Sequence, residues 1–259
     1  VNKQTSIVSV DDIFSQVKKS LLNHPNIDVI TFTANGEPTL YPYLNELIDK
    51  IDNIKGDKKT LILSNGANIY ENNIQKILKK IDIVKLSLDC VTIECFKKLD
   101  RSHKDVNCEA IVNGMVNFRK LYKKELILET LFVKDLNDSS NEIELLYNSY
   151  KKIKPNRIDI GTIDRPPAYD VKPLSFNQLN NIANIFKNLP VTIAHKNRPK
   201  SLQSYTKDEI ISLLKMRPLT IDDIQNTFDN QSQKILDNLK NSNIITIKII
   251  AGVEFYTHK

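Results

Sequence analysis

Short apolar, β-branched runs alternate with segments of helical period along most of this chain, and that alternation narrows the fold more than any other feature. The runs cover residues 28–34, 60–64, 82–88, 126–133, 157–162 and 190–194. Each is a short continuous apolar stretch, the form taken by a strand buried on both faces of a parallel sheet. Between them, apolar residues recur at helical spacing. Ile13, Val17 and Leu21 share a face within 10–22, and Leu44, Leu47, Ile48 and Ile51 do so within 40–54. Ile74, Ile77 and Ile81 repeat the pattern, followed by Ile111, Met115 and Phe118, then Ile143, Leu146 and Tyr150, then Leu179, Ile182 and Ile185. Helix, then strand and helix repeated, predicts a parallel α/β domain. A first helix with no strand before it, in a chain that begins with Val1 rather than Met, reads as a domain whose leading strand lies upstream.

Composition sets the outer limits. Of 259 residues, 41% are hydrophobic and 26% charged, which excludes a disordered chain. No apolar run approaches the roughly 18 residues of a membrane helix. The start carries no apolar signal core, so a cytoplasmic protein is expected. Three cysteines cannot form a paired framework, and Cys90, Cys95 and Cys108 have no metal-like spacing. Cys95 and Cys108 fall in helical stretches and read as small buried hydrophobes.

Near residue 196 the character changes. Residues 196–202 read as a linker between a domain over 1–195 and a second over 203–259. The second predicts helices at 206–214, 220–228 and 231–239, then strands at 244–250 and 253–257, which is the winged-helix pattern. Winged helices commonly bind nucleic acid through the third helix. Residues 203–259 carry seven basic and seven acidic side chains, so the net charge of +6 belongs wholly to residues 1–202. Phosphate binding wants a basic excess, so nucleic-acid contact, protein contact and a lid role all stay open for this module.

In parallel α/β folds, ligands bind at the carboxyl ends of the strands. The first strand is followed by Asn35, Gly36 and Glu37, the second by Ser64 and Asn65. The third presents Ser87 and Asp89, the fourth Glu129 and Lys134, and the fifth Thr162 and Arg165. Polar strand ends on apolar strand bodies predict one opening at one rim, with Gly36, Ser64, Ser87, Asp89 and Thr162 on the same face of the sheet.

These blocks carry a resemblance. The run TANGEPTLYP from Thr33 to Pro42 resembles the Gly-Glu-Pro-Thr segment of radical S-adenosylmethionine enzymes. LSNG at 63–66, KLSLD at 85–89, LDRSH at 99–103 and IDRPP at 163–167 follow in the same register. Over residues 5–195 the chain is most similar to the family of 4-demethylwyosine synthase and its bacterial relatives. The resemblance implies a partial (βα)6 barrel. It implies a [4Fe–4S] cluster on a C-x-x-x-C-x-x-C loop, S-adenosylmethionine bound to the cluster, and a 5′-deoxyadenosyl radical that takes a hydrogen atom from substrate. It also implies a reductant partner such as flavodoxin or ferredoxin, no membrane partner, and a tRNA or other nucleic acid as a possible substrate.

Carried over residue by residue, Asn35, Gly36 and Glu37 match the segment receiving the methionine amino group, and Ser64 and Asn65 the next strand end. Ser87 and Asp89 match positions near the methionine carboxylate and ribose. Glu129 lies on the strand lining the ribose, and Thr162 and Arg165 fall where the adenine edge is held. Arg101, His103 and Lys134 are candidates for substrate contact. No catalytic residue is assigned. The cysteine loop is absent, so no metal ligand is expected within this chain and the cluster ligands are expected upstream of Val1. Three readings follow: a radical S-adenosylmethionine oxidoreductase seen without its cluster segment; a cluster-less S-adenosylmethionine- or nucleotide-binding regulatory protein with a winged helix; and a winged-helix nucleic-acid binder with the barrel as scaffold.

Overall fold

The computed structural model describes residues 7–34, 36–99, 107–163, 171–193, 202–216, 218–250 and 253–259. Asn35, Arg101, His103, Arg165 and linker residues 196–201 therefore lie outside the described residues. The chain divides into two compact units, residues 1–161 with 174–193, and residues 162–173 with 194–259.

The first unit opens with helix α1 (Val10–Asn23), capped by the Ser9 hydroxyl, which accepts from the Asp12 amide. Six strands follow: β1 (Val29–Phe32), β2 (Lys59–Ser64), β3 (Ile83–Ser87), β4 (Glu125–Phe132), β5 (Arg157–Thr162) and β6 (Val191–Ile193). They form one sheet in the order β1-β2-β3-β4-β5-β6, with parallel pairing at β1–β2, β2–β3, β3–β4 and β5–β6. The crossovers carry α2 (Leu44–Asp52), α3 (Asn72–Leu78), α4 (Ile93–Leu99), α5 (Cys108–Leu121), α6 (Ser140–Ile153) and α7 (Phe176–Ile185).

A sheet wound in sequence order by right-handed crossovers keeps its helices on one face. Strand alternation records that asymmetry. Ile62, Val84, Leu86, Leu126, Leu128, Ile158 and Ile160 are fully buried and belong to the helix-facing set. They join Ile48, Ile51, Leu78, Met115, Phe118, Leu146, Tyr150 and Phe186 in one core. The alternate positions face the other way and are mixed in character: Leu61, Leu63, Lys85, Ser87, Ile127, Glu129 and Asp159. This second, concave face is where the polar residues collect.

Two helical expectations are corrected. The single helix expected over 40–54 is a 3-10 turn at Pro38–Leu40 and a separate α2 beginning at Leu44. Pro42 disfavours helical backbone at the residue before it, and Tyr41 is extended with ψ 116°. Ile185 is 54% exposed, because α7 ends there and Phe186 turns into the core instead. The cysteines also depart from expectation. Cys90 and Cys95 are joined in a disulfide with Cα atoms 5.6 Å apart, since the loop leaving β3 brings Cys90 beside the first turn of α4. Cys108 lies outside that disulfide, buried at the start of α5.

The second unit contains α8 (Lys207–Met216), β7 (Leu219–Thr220), α9 (Ile221–Thr227), α10 (Asn230–Asn241), β8 (Ile245–Ile250) and β9 (Val253–His258). Its sheet has the antiparallel order β7-β9-β8. Ile210, Leu214, Leu219, Ile224, Phe228, Leu236, Leu239 and Ile245 form its core. The three helices and two long strands stand where the sequence puts them; β7 was not anticipated. Thr220 and Asp223 form a reciprocal cap at the start of α9. No helix among the described residues is long and apolar enough to cross a membrane.

Candidate cofactor-binding rim

The residues following β1, β2, β3 and β4 meet at one edge of the sheet, because parallel strands all end on the same side. Their polar groups divide into those already engaged by the protein and those that are not.

Glu37 is the most engaged. Its Oε1 accepts from the Thr39 amide at 3.0 Å, the Thr39 hydroxyl at 2.7 Å and the Ser64 hydroxyl at 2.8 Å. Its Oε2 accepts from the Asn65 amide at 2.7 Å. The carboxylate thus caps the 3-10 turn and binds the exit of β1 to the exit of β2. Ser64 passes the connection on by accepting from the Gly66 amide at 3.1 Å, and Asn65 Oδ1 accepts from the Ala67 amide at 2.9 Å. Gly66 has φ +70°, which only glycine adopts cheaply, and a Cβ there would stand 2.8 Å from Met115 Cε.

The exits of β3 and β4 are joined in the same manner. Asp89 Oδ1 accepts from the Leu131 amide at 2.6 Å. Fully buried Asn137 donates from Nδ2 to Asp89 O at 2.9 Å and Leu131 O at 2.8 Å, and accepts from the Val133 amide at 2.7 Å. Glu142, buried at the start of α6, caps the approach to α4 by accepting from the amides of Val91 and Thr92 and from the Thr92 hydroxyl. Neither Asn137 nor Glu142 stood out in the sequence, because Asp89, which Asn137 holds, and Val91 and Thr92, which Glu142 holds, lie 48 to 51 residues away.

What remains unengaged faces the concave side. Ser87 and Glu129 are register partners on β3 and β4. Glu129 Oε1 pairs with Lys85 Nζ at 2.6 Å. Glu129 Oε2 and the Ser87 hydroxyl have no partner among the described residues. Lys85 also reaches Asp159 at 3.1 Å, and Arg157 holds Asp159 from its other side at 2.8 Å. Lys85 and Asp159 were missed in the sequence, although a charge at an alternate position of an apolar strand was a readable signal. Gly36 is exposed, and a Cβ built on it meets nothing within 4 Å among the described residues beyond its chain neighbours. Lys134 is exposed on the turn after β4.

The expectation of a single face needs correction. Ser64 is the register partner of Leu86, not of Ser87, so its side chain points with the buried helix-facing set and away from the concave face. Gly36, Ser64, Ser87 and Asp89 share an edge, while Ser87 and Glu129 alone of these strand residues face the concave side together. Thr162, partly exposed, is the last residue of β5.

The open space at Gly36 and the unengaged acceptors of Ser87 and Glu129 fit a ligand bearing ammonium and hydroxyl groups, as S-adenosylmethionine does. The cysteines present do not fit an iron–sulfur cluster: two are bonded to each other and the third is buried in α5. Cys90, Cys95 and Glu142 bring ligand-type atoms within 4.8 Å of one another. Their sulfurs are spent on a disulfide and the carboxylate on backbone amides, so they do not form a metal centre.

No protein-family model matches the chain. It is 38% identical over 260 aligned residues to a UPF0026 protein of Helicobacter pylori, covering 99% of this chain and 84% of that one. A UPF0026 protein of Methanocaldococcus jannaschii is 30% identical over 206 residues, or 78% of this chain and 62% of the other. The S-adenosyl-L-methionine-dependent tRNA 4-demethylwyosine synthase of the same archaeon is 30% identical over 120 residues, 46% of this chain and 35% of the synthase. Among solved structures, a radical SAM methyltransferase from Sphaerobacter thermophilus superposes with TM-score 0.58 at 13% identity, over 74% of this chain and 59% of that one. A domain of a pyruvate-formate lyase-activating enzyme from Bacteroides vulgatus gives TM-score 0.51 at 14% identity, over 64% and 98%. Near-complete coverage at 38% identity leads to one conclusion: the chain belongs to the UPF0026 family, with a fold like that of solved radical S-adenosylmethionine proteins and a partial sequence likeness to an S-adenosyl-L-methionine-dependent synthase.

Proposed function

We propose that this chain is the S-adenosylmethionine-binding body of a radical S-adenosylmethionine enzyme acting on a nucleotide-bearing substrate. The observation that carries the reading is the pair of unengaged acceptors on the concave face, Ser87 at the carboxyl end of β3 and its register partner Glu129 on β4. The adenosyl group lies over these two, and the methionine end lies toward Gly36, where the protein leaves space. With its carboxylate committed to four hydrogen bonds, Glu37 shapes the turn, and the ligand ammonium meets backbone carbonyls near Gly36. The ligands of a cluster lie outside these 259 residues, and a reductant protein supplies electrons to it.

A nucleotide-bearing substrate is supported by the names of two partial relatives, the tRNA-acting synthase of M. jannaschii and an S-adenosylmethionine-dependent nucleotide dehydratase of Flammeovirga pacifica, 32% identical over 119 residues. The basic excess of residues 1–202 supports attraction of a polyanion to that part of the chain. The order α8-β7-α9-α10-β8-β9 supports a winged-helix reading of residues 203–259, which being neutral add little to that attraction. The test is equilibrium dialysis of the full-length, anaerobically reconstituted protein against labelled S-adenosylmethionine. Saturable binding, with 5′-deoxyadenosine released on reduction, is expected. Absence of binding overturns the reading.

A further inference from the structure

Four charged side chains cross the concave face where a parallel strand ordinarily carries apolar ones. Arg157 donates to Asp159 through Nε at 2.8 Å and Nη2 at 3.2 Å. Asp159 pairs with Lys85 at 3.1 Å, and Lys85 with Glu129 Oε1 at 2.6 Å. Exposure rises toward the Glu129 end of the inner three: the Asp159 side chain is 11% exposed, Lys85 18% and Glu129 47%. The network is anchored where it is driest and ends in a half-open carboxylate. Desolvated, multiply bonded charges hold their geometry, while an exposed pair gains little by itself.

The chemistry of that end follows from its partner. A carboxylate whose charge is already met by a lysine is a weak trap for a cation and a good acceptor for a neutral hydroxyl. Glu129 Oε2 and the Ser87 hydroxyl stand side by side in register, on one face, with no partner among the described residues. Two adjacent acceptors of this kind suit a vicinal diol.

We propose that Lys85 is a positioning residue: held by Asp159 and Arg157, it orients Glu129 so that Oε2, together with Ser87, receives the ribose hydroxyls of the ligand. The inference rests on the S-adenosylmethionine reading above and assigns Lys85 no contact with the ligand. Its consequence is selectivity, because discrimination for the diol then depends on a side chain that never touches it.

The test measures binding of S-adenosylmethionine and of its 2′,3′-dideoxy counterpart to the full-length protein. In the wild type, loss of the hydroxyls weakens binding about 10- to 100-fold, the range for hydrogen bonds to a charged group. In Lys85→Met, affinity for S-adenosylmethionine falls about tenfold and the discrimination shrinks to under about threefold, while the melting temperature stays near wild type because Asp159 keeps Arg157. Lys85→Arg restores most of the discrimination. Lys85→Gln is read in the same way should the methionine variant not fold. Undiminished discrimination in both neutral variants, with wild-type binding intact, overturns the inference alone. Failure of the wild type to bind S-adenosylmethionine overturns the underlying reading and this inference with it.

Discussion

The Ser64 hydroxyl donates to the Glu37 carboxylate at 2.8 Å and so ties the end of β2 to the turn that leaves β1. With the Thr39 and Asn65 amides on the same carboxylate, Glu37 is the knot of this corner. Glu37→Ala is expected to cost about 2–3 kcal/mol, since several donors lose a charged acceptor at once. Glu37→Gln should cost roughly half. Urea unfolding of both variants checks this, and a change within about 0.5 kcal/mol for Glu37→Ala would remove Glu37 from its structural role.

Gly36 presents the opposite case. A methyl group there meets no atom of the described residues within 4 Å beyond its chain neighbours, so Gly36→Ala should melt with the wild type. If a ligand fills that space, the added methyl group weakens binding at least about fivefold, in line with the usual cost of overpacking. Calorimetric titration alongside a melting curve separates the two effects.

Asp82 fixes the opposite, amino-terminal edge of the sheet. Burial alone would raise its carboxyl, but Lys55, the Thr60 amide and hydroxyl, and Lys124 hold it far below the usual carboxylate range. A depressed folded-state value means that the stabilisation is complete above the unfolded value of about 3.9 and is lost as pH falls through the folded one. Asp82→Asn should therefore be less stable than wild type at pH 7, and its stability should decline less steeply below about pH 4. Parallel denaturant titrations at pH 7 and pH 3 provide the comparison.

The Cys90–Cys95 bond closes a short loop between β3 and α4. Loop-closure entropy for so few residues amounts to about 2 kcal/mol. Cys95→Ser should lose stability of that order, and reducing agent should destabilise the wild type but not the variant. Alkylation of denatured, unreduced protein followed by peptide mapping should label Cys108 and spare the other two; labelling of all three would remove the disulfide.

All six strands were legible because each is a short apolar run, and burial on the helix side selects such residues irrespective of the loops that follow. Their polar ends were legible too, since a charge or hydroxyl closing an apolar strand stands out locally. Which way each end pointed was misread, since all were placed on one face. Ser64 and Ser87 both close strands, yet they sit at opposite parity relative to the β2–β3 register, and only pairing reveals that. Asn137 and Glu142 were invisible for a different reason: their value lies in bonds to Asp89 and Val91, and nothing local marks a residue as a distant cap. Cys90 and Cys95 were set aside on their spacing and on the helical place of Cys95, whereas a turn entering a helix brings such a pair together.

The order of the sheet has a consequence for how the chain reaches its fold. Every strand from β1 to β6 hydrogen-bonds only to strands adjacent in sequence. Each pairing closes a loop of one crossover, and no contact within the sheet waits for a distant segment to arrive. Entropy of loop closure grows slowly with length, so successive closures carry similar costs and the sheet can grow outward from any early pair. Damage to a central strand such as β3 then divides growth into two halves, whereas damage to β6 shortens the sheet by one strand. Hydrogen exchange should accordingly show protection highest in β3 and β4 and falling stepwise toward both edges.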